Sequence, residues 1–246
     1  MSDDFHKLNA HSDNVHNKHF YNNNAEQLAG QYLSTSFEQV HASWSSHLNE
    51  MLAHNPVLLT ILDVGAGAGR DARYFAQQSH CFTSSALNVK GQHLITQQNV
   101  EVVAVEPAQR LAELGKQQTQ GYNVTWIDDR LPDLHRLAIY QRSFNLILLS
   151  AVWMHIPPHE RASSLQTLEH LLAPHGKLVI SLRHGDSQDT RVMYPVSVDA
   201  LQDVASQAHL VIIDATERES DKLGRLQVFW QSVILQRRQD VITKDK

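Results

Sequence analysis

The sequence of 246 residues holds one cysteine, Cys81, so no disulfide framework and no thiolate cluster for zinc or iron–sulfur chemistry can form within it. It also lacks a long apolar run. The longest, "FNLILLSAVWM", is about half of what a bilayer-spanning helix needs. Charge of one sign is missing too: 21 Lys and Arg are mixed with 26 Asp and Glu for a formal charge of −5, which leaves no basic stripe to neutralise a phosphate backbone. The opening "MSDDFHKLNA" has neither the basic nor the apolar region of a secretory signal. These absences lead to the expectation of a cytosolic chain with no nucleic-acid and no membrane partner. No metal is expected either, because His6, His11, His16 and His19 are not spaced to share one helical face.

What is present is a core-forming chain, 42% apolar, with strand and helix patterns in alternation. Residues 1–20 are polar and aperiodic and read as a mobile tail, with one domain over 21–246. Within 21–56 two helices are expected as a cap. The first carries Ala25, Leu28, Ala29, Tyr32 and Leu33 on one side, and the second opens with a Ser36/Gln39 capping box and continues through Phe37, Val40, Trp44, Leu48 and Met51. From Val57 strands are expected near 57–63, 100–105, 123–127 and 144–149, then at "KLVISL", "LVIID" and "LQVFWQSVIL". Helices alternate with them, one opened by Pro158 and one capped by Ser197. The reading is an α/β fold with a seven-stranded, mostly parallel sheet and an antiparallel last strand. Residues 80–99 break the rhythm and read as an inserted loop or small flap.

The stretch "ILDVGAGAGRDARYFA" carries the chemistry. A strand that ends in a glycine-rich turn and feeds a helix offers backbone N–H groups to a ligand at the carboxyl edge of the sheet. A dinucleotide fold places its third glycine at the sixth position of the pattern. Here the glycines are Gly65, Gly67 and Gly69, and Arg70 stands sixth, which disfavours a nicotinamide oxidoreductase. No "GK[ST]" follows, so a nucleoside triphosphate loop is excluded.

The motif resembles that of the class I S-adenosylmethionine-dependent methyltransferases of the small-molecule type, whose Rossmann-like, doubly wound fold the alternation also fits. The resemblance implies S-adenosyl-L-methionine as cofactor and a methyltransferase activity, with Asp63 as the motif's acid. It implies that Glu106, ending "VEVVAVEP", grips the ribose, while the residue's position before Pro107 equally suits a helix cap. It further implies that Asp128, with Asp129 as rival, takes the adenine amino group beside Ile127. Ser150 is expected to meet the methionine end through its backbone, and Arg70 to reach the methionine carboxylate. The segment "YNNNAEQLAGQY" is similar to the part that folds over the cofactor in such enzymes, with Tyr21 and Tyr32 as contacts.

The methyl acceptor is expected at the exits of the fourth and fifth strands. There "LLSAVWMHIPP" offers Trp153 as a wall and His155 as a base, and "SLRHG" offers Arg183 and His184. Together with Arg191 and Tyr194 these residues suit a small, acidic substrate group such as a carboxylate. A non-catalytic module that keeps only the cofactor site is the alternative reading.

Overall fold

The structure is a computed structural model that describes residues 2–54, 58–87, 93–140 and 144–242. Val57, where the first strand is expected to begin, lies outside them. Strand β1 (Leu58–Val64) runs through the middle of the sheet. Its side chains alternate between two cores: Leu62 and Val64 enter one, Leu59 and Ile61 the other, all at most 3% exposed. Strand β5 (Phe144–Leu149) divides in the same way, Ile147 and Leu149 against Leu146 and Leu148. A strand buried on both faces is what parallel pairing between two helical layers requires.

Around β1 the parallel strands are β3 (His93–Val105), β4 (Val124–Ile127), β5 and β6 (Leu172–His184). Beyond β6, strand β9 (Phe229–Arg237) pairs antiparallel with both β6 and β7 (Leu210–Ala215), because the link between β7 and β9 holds no crossover helix. Those seven strands, in the order β4-β3-β1-β5-β6-β9-β7, form the expected Rossmann-like sheet. Two more strands join it, β2 (His80–Leu87) and the two-residue β8 (Glu219–Ser220). Helices α5 (Arg70–Ala76), α6 (Gln109–Gln118), α7 (Arg161–Leu171) and α8 (Val198–Gln207) follow their strands, and α9 (Arg238–Ile242) ends the described chain. Ser197 caps α8 as expected, its hydroxyl accepting from the Ala200 N–H.

Three segments differ from the sequence expectation. Residues 80–99, read as a loop or flap, contain β2, which turns back antiparallel on the first part of β3 with His80 opposite Gln98. This hairpin leaves the amino end of β3, opposite Val105, where the glycine turn lies. The second cap helix is broken into α3 (Phe37–His41) and α4 (Ser45–His54), although the Ser36/Gln39 capping box forms in both directions. The third difference is α1 (Ser2–Asn23), where a tail was expected. Its amphipathic signal is weak because polar anchors hold it: Asn17 both donates to Val192 O (3.0 Å) and accepts from Val192 N (2.8 Å), and Tyr194 donates to Asp13. Helix α2 (Ala25–Leu33) follows and packs Ala25, Leu28 and Ala29 inward.

Candidate functional site

A cavity of about 600 Å³ opens at the carboxyl ends of β1, β3, β4, β5 and β6. The turn after β1 forms its floor. Gly65, Gly67 and Gly69 all have positive φ (72°, 54° and 82°), a conformation that costs an ordinary side chain about 1–2 kcal/mol. A Cβ on Gly67 would enter the cavity and meet only Tyr32, at 3.9 Å. Gly69 serves packing instead: it does not line the cavity, and a Cβ there would press on Gly115 and Trp126 at 3.1–3.2 Å. The third glycine therefore lets α5 approach α6.

Glu106 closes the floor from β3. Its two oxygens accept from the Gly67 N–H (2.9 Å) and the Ala108 N–H (2.7 Å), so it caps the next helix and supports the glycine turn at once. Burial pushes its carboxyl up to about 7, while those two N–H groups pull it down. Asp63 lies behind the turn, 1% exposed, and does not line the cavity. One of its oxygens has no partner among the described residues, and burial, with the charge of Asp71 next, holds its carboxyl well above the usual range. Asp71 instead stays ionised far below that range, its pKa opposed by burial but pulled down by Arg70 and His41. Trp44 donates to His41 Nδ1 (3.0 Å), which leaves the His41 Nε2–H to donate to Asp71 (3.1 Å). Arg70 donates from Nε and Nη2 to Asp71 and from Nη1 to Thr35, and lines the cavity.

Asp128 and Asp129 separate clearly at the exit of β4. Asp129 accepts from the backbone of Arg130 and Arg136 (2.8 and 2.7 Å), so it builds the loop. Asp128 lines the cavity, and its carboxylate takes no hydrogen bond among the described residues. Ile127 packs against the core rather than the cavity. Past β5, Ser150 and Ala151 line the site, and Ala151 is held at φ 60° where its N–H donates to the Ser181 hydroxyl at 2.7 Å. Trp153, expected as a wall, is 1% exposed in the core beneath Arg161. Arg183 and His184 are not brought to the cavity. Arg183 turns back onto the carbonyls of Gly185 and Asp186, which the β6 exit leaves without strand partners.

Helix α1 roofs the site through Asn14, Asn17, Lys18 and Tyr21. His155 donates from Nδ1 to Val192 O (3.0 Å), and its Nε2 therefore accepts from the Tyr21 hydroxyl (2.9 Å). Arg191 donates to the same hydroxyl (3.2 Å), pairs with Asp189, and lies over the rings of Phe20 and Tyr21. Burial is the main reason that the His155 pKa falls to about 4. The ring is a spacer between a tyrosine and a backbone carbonyl.

The model of a methyltransferase domain matches residues 36–220, three quarters of the chain. The chain belongs to this methyltransferase family. Solved structures agree on the fold. The magnesium protoporphyrin IX methyltransferase of Synechocystis, with bound S-adenosylmethionine, is 13% identical with a TM-score of 0.59, covering 92% of this chain and 97% of that one. The 1,6-didemethyltoxoflavin-N1-methyltransferase of Burkholderia thailandensis, with its toxoflavin precursor and S-adenosylhomocysteine, is 19% identical with a TM-score of 0.55, covering 85% and 87%. An S-adenosylmethionine-dependent methyltransferase of Clostridium acetobutylicum is 12% identical with a TM-score of 0.56, covering 80% and 92%. A search of the curated proteins finds no match.

The cavity of this methyltransferase is also lined by residues that sequence reasoning passed over. The segment 219–225, with Trp230 and Ser232 on β9, supplies a whole wall of the cavity. Asp221 organises it: its side chain, 2% exposed, accepts from Arg225 Nη2 and Trp230 Nε1 on one oxygen and from Leu223 N, Arg225 N and Arg225 Nε on the other. The signal was the Asp221–Arg225 spacing in a polar loop, which carries no periodicity.

Proposed function

We propose that this methyltransferase moves a methyl group from S-adenosylmethionine to a small-molecule acceptor. The observation that carries the reading is the convergence, on one roofed cavity, of the Gly67 backbone, the Glu106 carboxylate and the open Asp128 carboxylate. The residues suit that cofactor. Gly67 leaves the space that a Cβ would fill, Glu106 has oxygens for two ribose hydroxyls, Asp128 can accept from an exocyclic amine, and Ser150 can offer backbone groups. Arg70, held by Asp71, and Tyr21 stand where the methionine end would lie, while Asp63 and Gly69 shape the turn from behind.

When bound, the cofactor supplies a methyl group on a sulfonium, from which a neutral thioether departs. The protein's work is alignment and exclusion of water. Helix α1 covers the cavity, and its polar anchors to 190–194 fix that cover. His155 keeps its Nε2 lone pair on Tyr21, and burial lowers its pKa to about 4, so it is a weak base already engaged and serves to position Tyr21. In this reading His155 is a positioning residue rather than a catalytic base. The roof favours a small acceptor over a polymer.

The test is calorimetric binding of S-adenosylhomocysteine, followed by mass spectrometry of a metabolite extract incubated with the protein and methyl-labelled cofactor. Micromolar binding and new labelled products of low mass are expected. Binding without any labelled product would favour the non-catalytic module, and absence of binding would end both readings.

A further inference from the structure

Among the charged groups of the cavity, the open cations and anions are unevenly placed. On the wall formed by 219–225, each carboxylate is already engaged: Glu219 pairs with Lys222, and Asp221 takes five donors. Arg225 is not used up. Asp221 holds its Nε and Nη2, while Nη1 makes no hydrogen bond among the described residues, so the second edge of the guanidinium, Nη1 with the outer N–H of Nη2, is presented as a fork. That edge matches the two oxygens of a carboxylate in spacing and plane. The same Asp221 oxygen that steers Arg225 also fixes the Trp230 indole N–H, at 2.8 Å, so a cation edge and a flat apolar face are set by one buried anchor.

Two further arginines stand near that wall without lining the cavity. Arg183 feels the charges of both Arg225 and Arg191, and Arg191 donates to the Tyr21 hydroxyl. Among the described residues Arg191 is held by Asp189 and Arg183 by the Gly185 and Asp186 carbonyls, whereas Arg225 keeps one edge open on the cavity wall. The cofactor's own carboxylate has a separate candidate in Arg70, at the end of the glycine turn.

Resting on the function proposed above, we propose that the methyl acceptor is a small planar carboxylic acid whose carboxylate lies on the open edge of Arg225 and whose ring lies against Trp230. This places acid recognition on the segment before β9, rather than on Arg183 and His184.

The experiment uses the full-length protein saturated with S-adenosylhomocysteine, with benzoate and benzamide as probes in ligand-observed NMR titrations. Benzoate is expected to bind at least about tenfold more tightly than benzamide, because the amide lacks the charge and one acceptor of the fork. Arg225→Gln should abolish that preference, and Arg225→Lys, which keeps charge without the fork, should weaken benzoate by about tenfold. Retained S-adenosylhomocysteine affinity shows that both variants are folded. Equal binding of the two probes, binding of neither, or unchanged preference in Arg225→Gln would overturn the proposal. So would a tenfold loss of S-adenosylhomocysteine affinity in both variants, which would assign Arg225 to the cofactor. Failure of the wild-type protein to bind S-adenosylhomocysteine would instead remove the underlying function.

Discussion

Glu106 offers a test in which sign and size both follow from the structure. Its carboxyl is buried and titrates at about 7, raised by desolvation and restrained by the N–H groups of Ala108 and Gly67. A ribose that donates two hydroxyls needs the ionised form, so below pH 7 a proton must leave before the ligand can bind. The apparent dissociation constant of S-adenosylhomocysteine is therefore expected to be about tenfold larger at pH 6 than at pH 8. For the ligand-free fold the effect is opposite in direction. The folded pKa lies above the ordinary value of 4.5, so the stability contributed by protonated Glu106 is complete below about pH 4.5 and is lost, to the extent of about 3 kcal/mol, as pH rises through 7. Glu106→Gln should bind the ligand about 10- to 100-fold more weakly at pH 8 and show no slope between pH 6 and 8. Isothermal calorimetry in two buffers of different ionisation heat measures both affinity and protons released. A flat wild-type profile, or an equal slope in Glu106→Gln, would refute the reasoning.

Gly67→Ala should fold, since its Cβ meets only Tyr32 at 3.9 Å, but the positive φ costs about 1–2 kcal/mol and the methyl group occupies ligand space. A small fall in Tm with a large loss of S-adenosylhomocysteine affinity is expected, and undiminished affinity would show that the turn does not touch the ligand. His155→Asn should lower stability by about 1–3 kcal/mol, because Tyr21 and the Val192 carbonyl lose partners in one step. Its rate profile between pH 6 and 8, measured with an acceptor from the labelled extract, should keep the wild-type shape. A fall in rate toward low pH that vanished in this variant would restore His155 as a proton acceptor.

The sheet was legible because its strands alternate between two buried faces, a pattern that residues such as Leu59, Ile61, Leu62 and Val64 write directly into the chain. The glycine turn was legible for the same local reason, although Gly69 shows that one of its three signals reports helix contact. Glu106 and Asp128 could be placed because a strand's last residue must sit at the sheet edge. Arg183 and His184 share that edge with Ser181, yet only the serine reaches the cavity. An arginine's long side chain goes wherever unpaired carbonyls lie, and the sequence does not announce those. Helix α1 was missed because its order comes from side-chain hydrogen bonds to distant residues, Val192 from Asn17 for one, and the Asp221 loop because its order comes from side-chain bonds inside a short polar segment; neither leaves a period behind. The hairpin of β2 was hidden by its plain, polar composition.

The division of the cavity between two kinds of wall has an evolutionary consequence. In the proposed function the strand exits would grip the methyl donor through main chain and two acids, whereas the helical roof and the Asp221 segment present replaceable side chains on surface connections. On that proposal, drift in those connections would redirect the enzyme to new acceptors while its hold on the methyl donor stayed intact, on a fold that structures only 12–19% identical already share.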